Sequence, residues 1–166
     1  FQRDFTWTRV DWETYLHSIL RNQFSGALLL MEVKQGGGEF APRAVDRGPD
    51  INTEKLDVLI LDGQQRATTL YQAFQVGFQF NKKIRYPRVL VDNLLDSNHL
   101  EIEHLEMLGE NNLTPEEQAE LCELQLNTLY DKKKRVRWED KYATVSGIDR
   151  PTLLSRLEER IERYSD

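Results

Sequence analysis

The stretch from Leu56 to Phe74 constrains the fold more than any other part of the chain. LDVLIL runs straight into Asp62-Gly63 and then into QQRATTLYQAF. A short aliphatic run predicts a strand over Leu56–Leu61, and Ala67, Leu70, Tyr71 and Phe74 recur at helical spacing. Gly63 permits the sharp turn between the two. Strand, glycine turn and helix in that order point to a mixed α/β chain.

A helix entered in this way leaves unpaired backbone N–H groups at its start. Together with the positive end of the helix dipole they form an anion site. Gly63 lets the backbone approach a phosphate, and Arg66 adds a planar cation suited to phosphate oxygens. Asp62, at the strand end, is placed to hold a magnesium ion or orient a water. Gln64 and Gln65 offer neutral amides that read a ligand or position a nucleophile. The same residues also read as a capped turn with solvated glutamines. The residues alone leave both readings open.

On the N-terminal side, Gln2-Arg3 stands with Phe5 and Trp7 in an irregular lead-in, where arginine can stack and fork to phosphate or snorkel over a core. Asp11 is expected to cap a helix whose stripe is Trp12, Leu16, Ile19 and Leu20. Ala27–Lys34 reads as a buried strand, and Gln35–Asn52, with three consecutive glycines and two prolines, as an inserted loop. Ile84–Val91 reads as a third strand, with Pro87 marking an edge or a bulge. Thr114, Pro115 and Glu117 form a helix start with a capping box. That helix is expected to continue through Leu121, Leu124, Gln125 and Leu129. The basic run Lys132–Arg137 reads as the solvated C-terminal end of a helix. Pro151 opens a last helix with Leu153, Leu154, Leu157 and Ile161 on its buried stripe.

Composition removes several classes. The 166 residues suit one ordinary domain, and no apolar run approaches the roughly 20 residues of a membrane span. One cysteine, Cys122, builds neither a disulfide framework nor a zinc site, which places the chain in a reducing cytoplasm. A net charge of -6 does not suit a domain that grips duplex DNA through many phosphates. Glycine-lysine-serine/threonine, a nucleophile elbow and metal-ligand spacing among His17, His99 and His104 are all missing from the sequence. No signal peptide is expected before Phe1, and the chain is expected to start inside a larger protein.

FQRDFTW, a helix containing Ser18-Ile19, and Asp62–Arg66 followed by Thr68-Thr69 together resemble the N-terminal domain of the GmrSD-type restriction endonucleases, a family of prokaryotic phage-defence proteins. The likeness covers about the first 90 residues. That family is distantly similar to ParB partition proteins and sulfiredoxin, in which an equivalent turn cradles nucleotide phosphates. The resemblance implies an α/β (α+β) fold with a small ParB/sulfiredoxin-like mixed sheet. Residues 1–91 would be the nucleotide-binding core, with a loop insertion near 35–55, and residues 92–166 a helical extension. It also implies binding and hydrolysis of an NTP with Mg2+, coupled to cleavage of modified DNA. Gln2, Arg3, Gly63, Gln65, Arg66, Thr68 and Thr69 would then bind nucleotide, Asp62 and Gln64 would be catalytic, and Asp62 would face the metal. The proline that opens the family's first motif and its HNH nuclease half are not in these residues. DNA cutting would therefore belong to an HNH-type nuclease domain or subunit, reached through the full protein. A non-catalytic ParB-type nucleotide- or DNA-binding module and a docking domain for a nuclease are the alternatives.

Overall fold

A computed structural model of the chain describes residues 4–21, 23–33, 41–52, 55–80, 82–91, 105–106 and 113–162. Gln2, Arg3, His99 and His104 lie outside the described residues.

Helix α1 (Arg9–Leu20) starts one turn earlier than its sequence suggests. Thr8, not Asp11, is the N-cap: its hydroxyl accepts from the Asp11 N–H while the Asp11 carboxylate accepts from the Thr8 N–H at 2.7 Å. Asp11 thus closes a capping box from the third helical position. Trp12, Leu16 and Leu20 are buried, and Trp12 stacks on Phe78 with ring centroids 4.2 Å apart.

Strand β1 (Leu29–Glu32) pairs antiparallel with β2 (Val58–Asp62), with Leu30 opposite Ile60 and Met31 opposite Leu59. The expected buried strand is instead half of a two-stranded ribbon. Leu28, Leu29 and Leu30 are exposed, because no third strand joins either edge among the described residues. Helix α2 (Gln64–Tyr71) continues into a π-helical turn, Gln72–Val76, closed by the Gly77 N–H donating to the Gln72 carbonyl at 2.7 Å. Its deepest residues are Thr68, Thr69, Gln72 and Ala73, while Leu70 and Phe74 pack half-buried on the core.

The expected third strand breaks in two at Tyr86-Pro87. Strand β4 (Lys83–Arg85) forms a hairpin with β3 (Phe78–Phe80), and β5 (Arg88–Leu90) enters a separate sheet. Proline has no N–H for a ladder, and here only its carbonyl is used, accepting from the Leu126 N–H at 3.0 Å. Strand β5 is central, flanked antiparallel by β6 (Leu105–Glu106) and β7 (Glu123–Gln125).

Helix α3 (Pro115–Glu120) carries the Thr114/Glu117 capping box as its sequence predicts. It ends at Glu120 rather than running on to Leu129. Cys122, at φ 54°, turns the chain so that β7 can pair with β5, and helix α4 (Leu126–Tyr130) follows. Gln118 locks this corner: its amide donates to the Leu113 carbonyl and the Thr128 hydroxyl and accepts from the Gln125 N–H. The basic run lies at the start of helix α5 (Lys132–Ser146), not at a helix end. The Asp131 carboxylate caps that start, accepting from the Lys133 and Lys134 N–H groups, and Glu116 takes Arg137 in two bonds of 2.9 and 3.0 Å. These carboxylates offset the unfavourable placement of cations at a positive dipole end.

Helix α6 (Arg150–Glu162) buries Leu153 and Leu157. One core joins Trp12, Phe78, Val89, Leu124, Trp138 and Leu157, so residues on both sides of position 91 share it. The architecture is a helix-rich α+β fold with small antiparallel sheets. No described helix is long and apolar enough to cross a membrane.

Candidate functional site

The glycine turn sits where β2 delivers Asp62 to the first residue of α2. Gly63 has φ 92° and ψ 15°, a left-handed conformation that disfavours side chains. No side chain caps α2 at this end. The ladder begins with the Ala67 N–H donating to the Gly63 carbonyl at 2.9 Å, so the N–H groups of Gln64, Gln65 and Arg66 have no partner within the helix.

Arg66 occupies the hollow of the turn. One guanidinium nitrogen donates to the Ala27 carbonyl at 2.6 Å and lies 3.2 Å from the Asp62 carboxylate. Its Nε is buried without a hydrogen-bond partner. Two glycines make this seat. A Cβ on Gly26, at φ 96°, would fall 2.6 Å from Arg66 Nη1, and one on Gly63 would fall 3.1 Å from Nη2 and overlap a Leu28 methyl. Gly26 therefore belongs to the site. Asp62 points outward with its side chain 76% exposed, whereas the Arg66 side chain is 22% exposed.

Gln65 faces the N-terminal segment. Its Oε1 accepts from the N–H groups of Thr6 and Trp7 at 2.9 and 3.3 Å, and its Nε2 donates to the Asp4 carbonyl at 2.9 Å. The amide imitates an adjoining strand and fastens residues 4–7 beside the turn. Trp7 packs edge-on against Tyr15. Burial pushes the Tyr15 phenol above its ordinary range, and the nearby Arg66 charge pulls it partly back.

The sequence-derived residues divide accordingly. Asp62, Gly63, Gln64 and Arg66 converge on the turn. Gln65 is committed to the lead-in segment. Thr68 and Thr69 face the interior, at 1% and 0% exposure, and the Thr69 hydroxyl has no partner there. No group of three or more His, Cys, Asp or Glu capable of holding a metal occurs among the described residues. A single carboxylate such as Asp62 would hold magnesium only with phosphates and waters as the other ligands.

A cavity of about 260 Å3 opens next to the turn. It is lined by Val58 and Ile60 of β2, by Pro42, Val45 and Pro49, and by Gln64. The proline-bearing wall is tethered to α2. The Gln72 Nε2 donates to the Asp46 carboxylate at 2.8 Å, and Arg47 donates to the Gly77 carbonyl.

Fold and site together define a mixed α+β domain organised around a glycine strand-to-helix junction with an arginine seated in it. Residues 1–163 match the GmrSD restriction endonuclease, N-terminal domain, and the chain belongs to that family. The match extends through the back half, well beyond the first 90 residues that carry the motifs. The chain is also 40% identical, over 77 residues, to an uncharacterized protein of Methanocaldococcus jannaschii. That alignment covers 44% of this chain and 13% of the relative. No solved structure matches the chain.

Proposed function

We propose that this domain binds a nucleoside triphosphate at the Gly63 turn, hydrolyses it with Mg2+, and serves as the nucleotide sensor of a modification-dependent restriction endonuclease. The observation that carries the reading is the uncapped start of α2, whose first three N–H groups have no partner within the helix and lie next to Arg66. Oriented N–H groups of this kind hold phosphate oxygens. The N–H groups of Gln64 and Gln65 would hold the phosphates, and Arg66 would neutralise them, with Arg3 as a second cation. Asp62 would orient the attacking water, so that positioning and charge stabilisation supply the rate. Magnesium, when bound, neutralises charge developing on the phosphate oxygens. DNA cleavage falls to an HNH-type nuclease domain or subunit.

Steady-state phosphate release with each NTP is the test. Turnover by wild type that disappears in Asp62→Ala, with nucleotide binding retained, supports the reading. Unchanged turnover in that variant removes Asp62 from the mechanism.

A second reading draws on the internal bonds of Gln65 and Arg66, which are already spent on the Asp4–Trp7 segment and on Ala27. In it the domain is a non-catalytic ParB-type module, in which nucleotide binding trades these bonds for phosphate and so releases the lead-in segment. Nucleotide-dependent thermal stabilisation without phosphate release identifies this case.

A further inference from the structure

We infer that the cavity between β2 and the Pro42–Ile51 segment is the seat of the nucleobase. The inference rests on the phosphate reading of the Gly63 turn and adds what that reading lacks, the place of the ring.

Three observations converge. The first is position. Gln64 is both the residue directly after Gly63 and a wall of the cavity. A ligand with its phosphates on the first N–H groups of α2 therefore has the cavity within one residue's reach. The second is chemistry. The walls are aliphatic and prolyl, suited to the faces of a flat ring, and polar reach comes from Gln64, since the Arg43 guanidinium is paired with Asp4 at 2.7 Å. The Gln64 side chain makes no hydrogen bond among the described residues. A primary amide offers one acceptor and two donors, the pattern that reads the edge of a base. The third is size and form. At about 260 Å3 the space is just below the roughly 300–1,000 Å3 of sites that enclose a drug-sized ligand, so it suits a ring system with the phosphates outside. The Asp46–Gln72 and Arg47–Gly77 tethers hold the proline wall in place without a ligand.

The experiment compares binding of each NTP with binding of inorganic tripolyphosphate, by calorimetry, in wild type, Ala44→Trp and Gln64→Leu. Ala44→Trp fills the cavity, and Gln64→Leu removes the base-reading amide at the half-buried start of α2, which keeps the question open to test if the tryptophan variant fails to fold. Wild type is expected to bind its preferred NTP at least about tenfold more tightly than tripolyphosphate, which corresponds to about 1.4 kcal/mol. Ala44→Trp should erase that advantage and leave tripolyphosphate affinity unchanged, while Gln64→Leu should flatten the preference among bases. An NTP advantage and base preference that survive in both folded variants overturn the cavity assignment and leave the phosphate turn standing. Tripolyphosphate and NTP binding equally well in wild type does the same. Failure of wild type to bind either compound overturns the phosphate reading, and the base seat with it.

Discussion

Replacing Gly63 with alanine tests whether the turn is shaped by backbone preference alone or by what it must accommodate. Gly147 provides the internal control. Both glycines are left-handed, at φ 92° and φ 71°, but a Cβ at Gly147 meets nothing within 4 Å. Gly147→Ala should therefore cost only the backbone preference, roughly 1–2 kcal/mol. At Gly63 the added methyl would overlap a Leu28 methyl and approach Arg66 at 3.1 Å, so either the Leu28 side chain or the guanidinium must move. Leu28 is 43% exposed and can rotate away, so the crowding adds at the low end of overpacking, roughly 1 kcal/mol, giving roughly 2–3 kcal/mol in all. Urea unfolding of the two variants beside wild type, at unchanged m value, measures the difference directly. The displaced Arg66 should also lose its bond to the Ala27 carbonyl. Equal destabilisation of the two variants, within about 0.5 kcal/mol, would refute the claim that Gly63 is required by the arginine's seat.

Gln65→Glu keeps the acceptor for Thr6 and Trp7 but sets a carboxylate against the Asp4 carbonyl, so amide exchange at residues 6 and 7 should quicken; protection equal to wild type would remove Gln65 as the fastener. Arg66→Ala should weaken NTP binding more than about tenfold, since a hydrogen bond to a charged group contributes roughly 1.5–3 kcal/mol; equal affinity in a folded variant would exclude the anion site. Burial pushes the Glu139 carboxyl above 4.5, against the pull of Arg135 and Arg150. Between its unfolded value and its folded one, the folded state binds the extra proton, so Glu139 costs stability as pH rises through that window. Glu139→Gln should flatten that part of the melting profile, and an unaltered profile counts against the assignment. Asp11, Glu116, Glu117 and Asp149 are all held below their ordinary values, chiefly by hydrogen bonds, so their contribution is lost as pH falls below about 4. Thr114→Val, which removes the hydroxyl from Glu117, should shrink that acid limb.

The elements legible in the sequence are those whose cause is local. Thr114, Pro115 and Glu117 specify a helix start within four residues, and Gly63 marks its own turn. The misread elements depend on distant partners. Ala27–Lys34 looks like a core strand by composition, yet only β2 comes to pair with it. Leu121–Leu129 keeps leucines at near-helical spacing, but β5 captures Glu123–Gln125 as a strand, which a window of that length cannot reveal. At the site, Asp62 to Arg66 is readable as a unit. The roles of Gly26 and of the Gln65 amide emerge only from contacts 39 to 61 residues apart.

Strand β5 also sets a timetable for folding. Both of its hydrogen-bonding neighbours come later in the chain, and Arg88 waits 35 residues for Glu123. At roughly 5–20 residues per second, a ribosome needs roughly 2–7 s to produce that stretch. Through this interval the nascent front half carries a Val89-centred strand open at first on both sides and, once β6 has emerged, still open on the β7 side, together with the exposed leucines of β1. Such edges recruit other chains. The nascent protein is thus most prone to misassembly before Glu123–Gln125 emerges, and slowing translation just after β5 should lower its soluble yield.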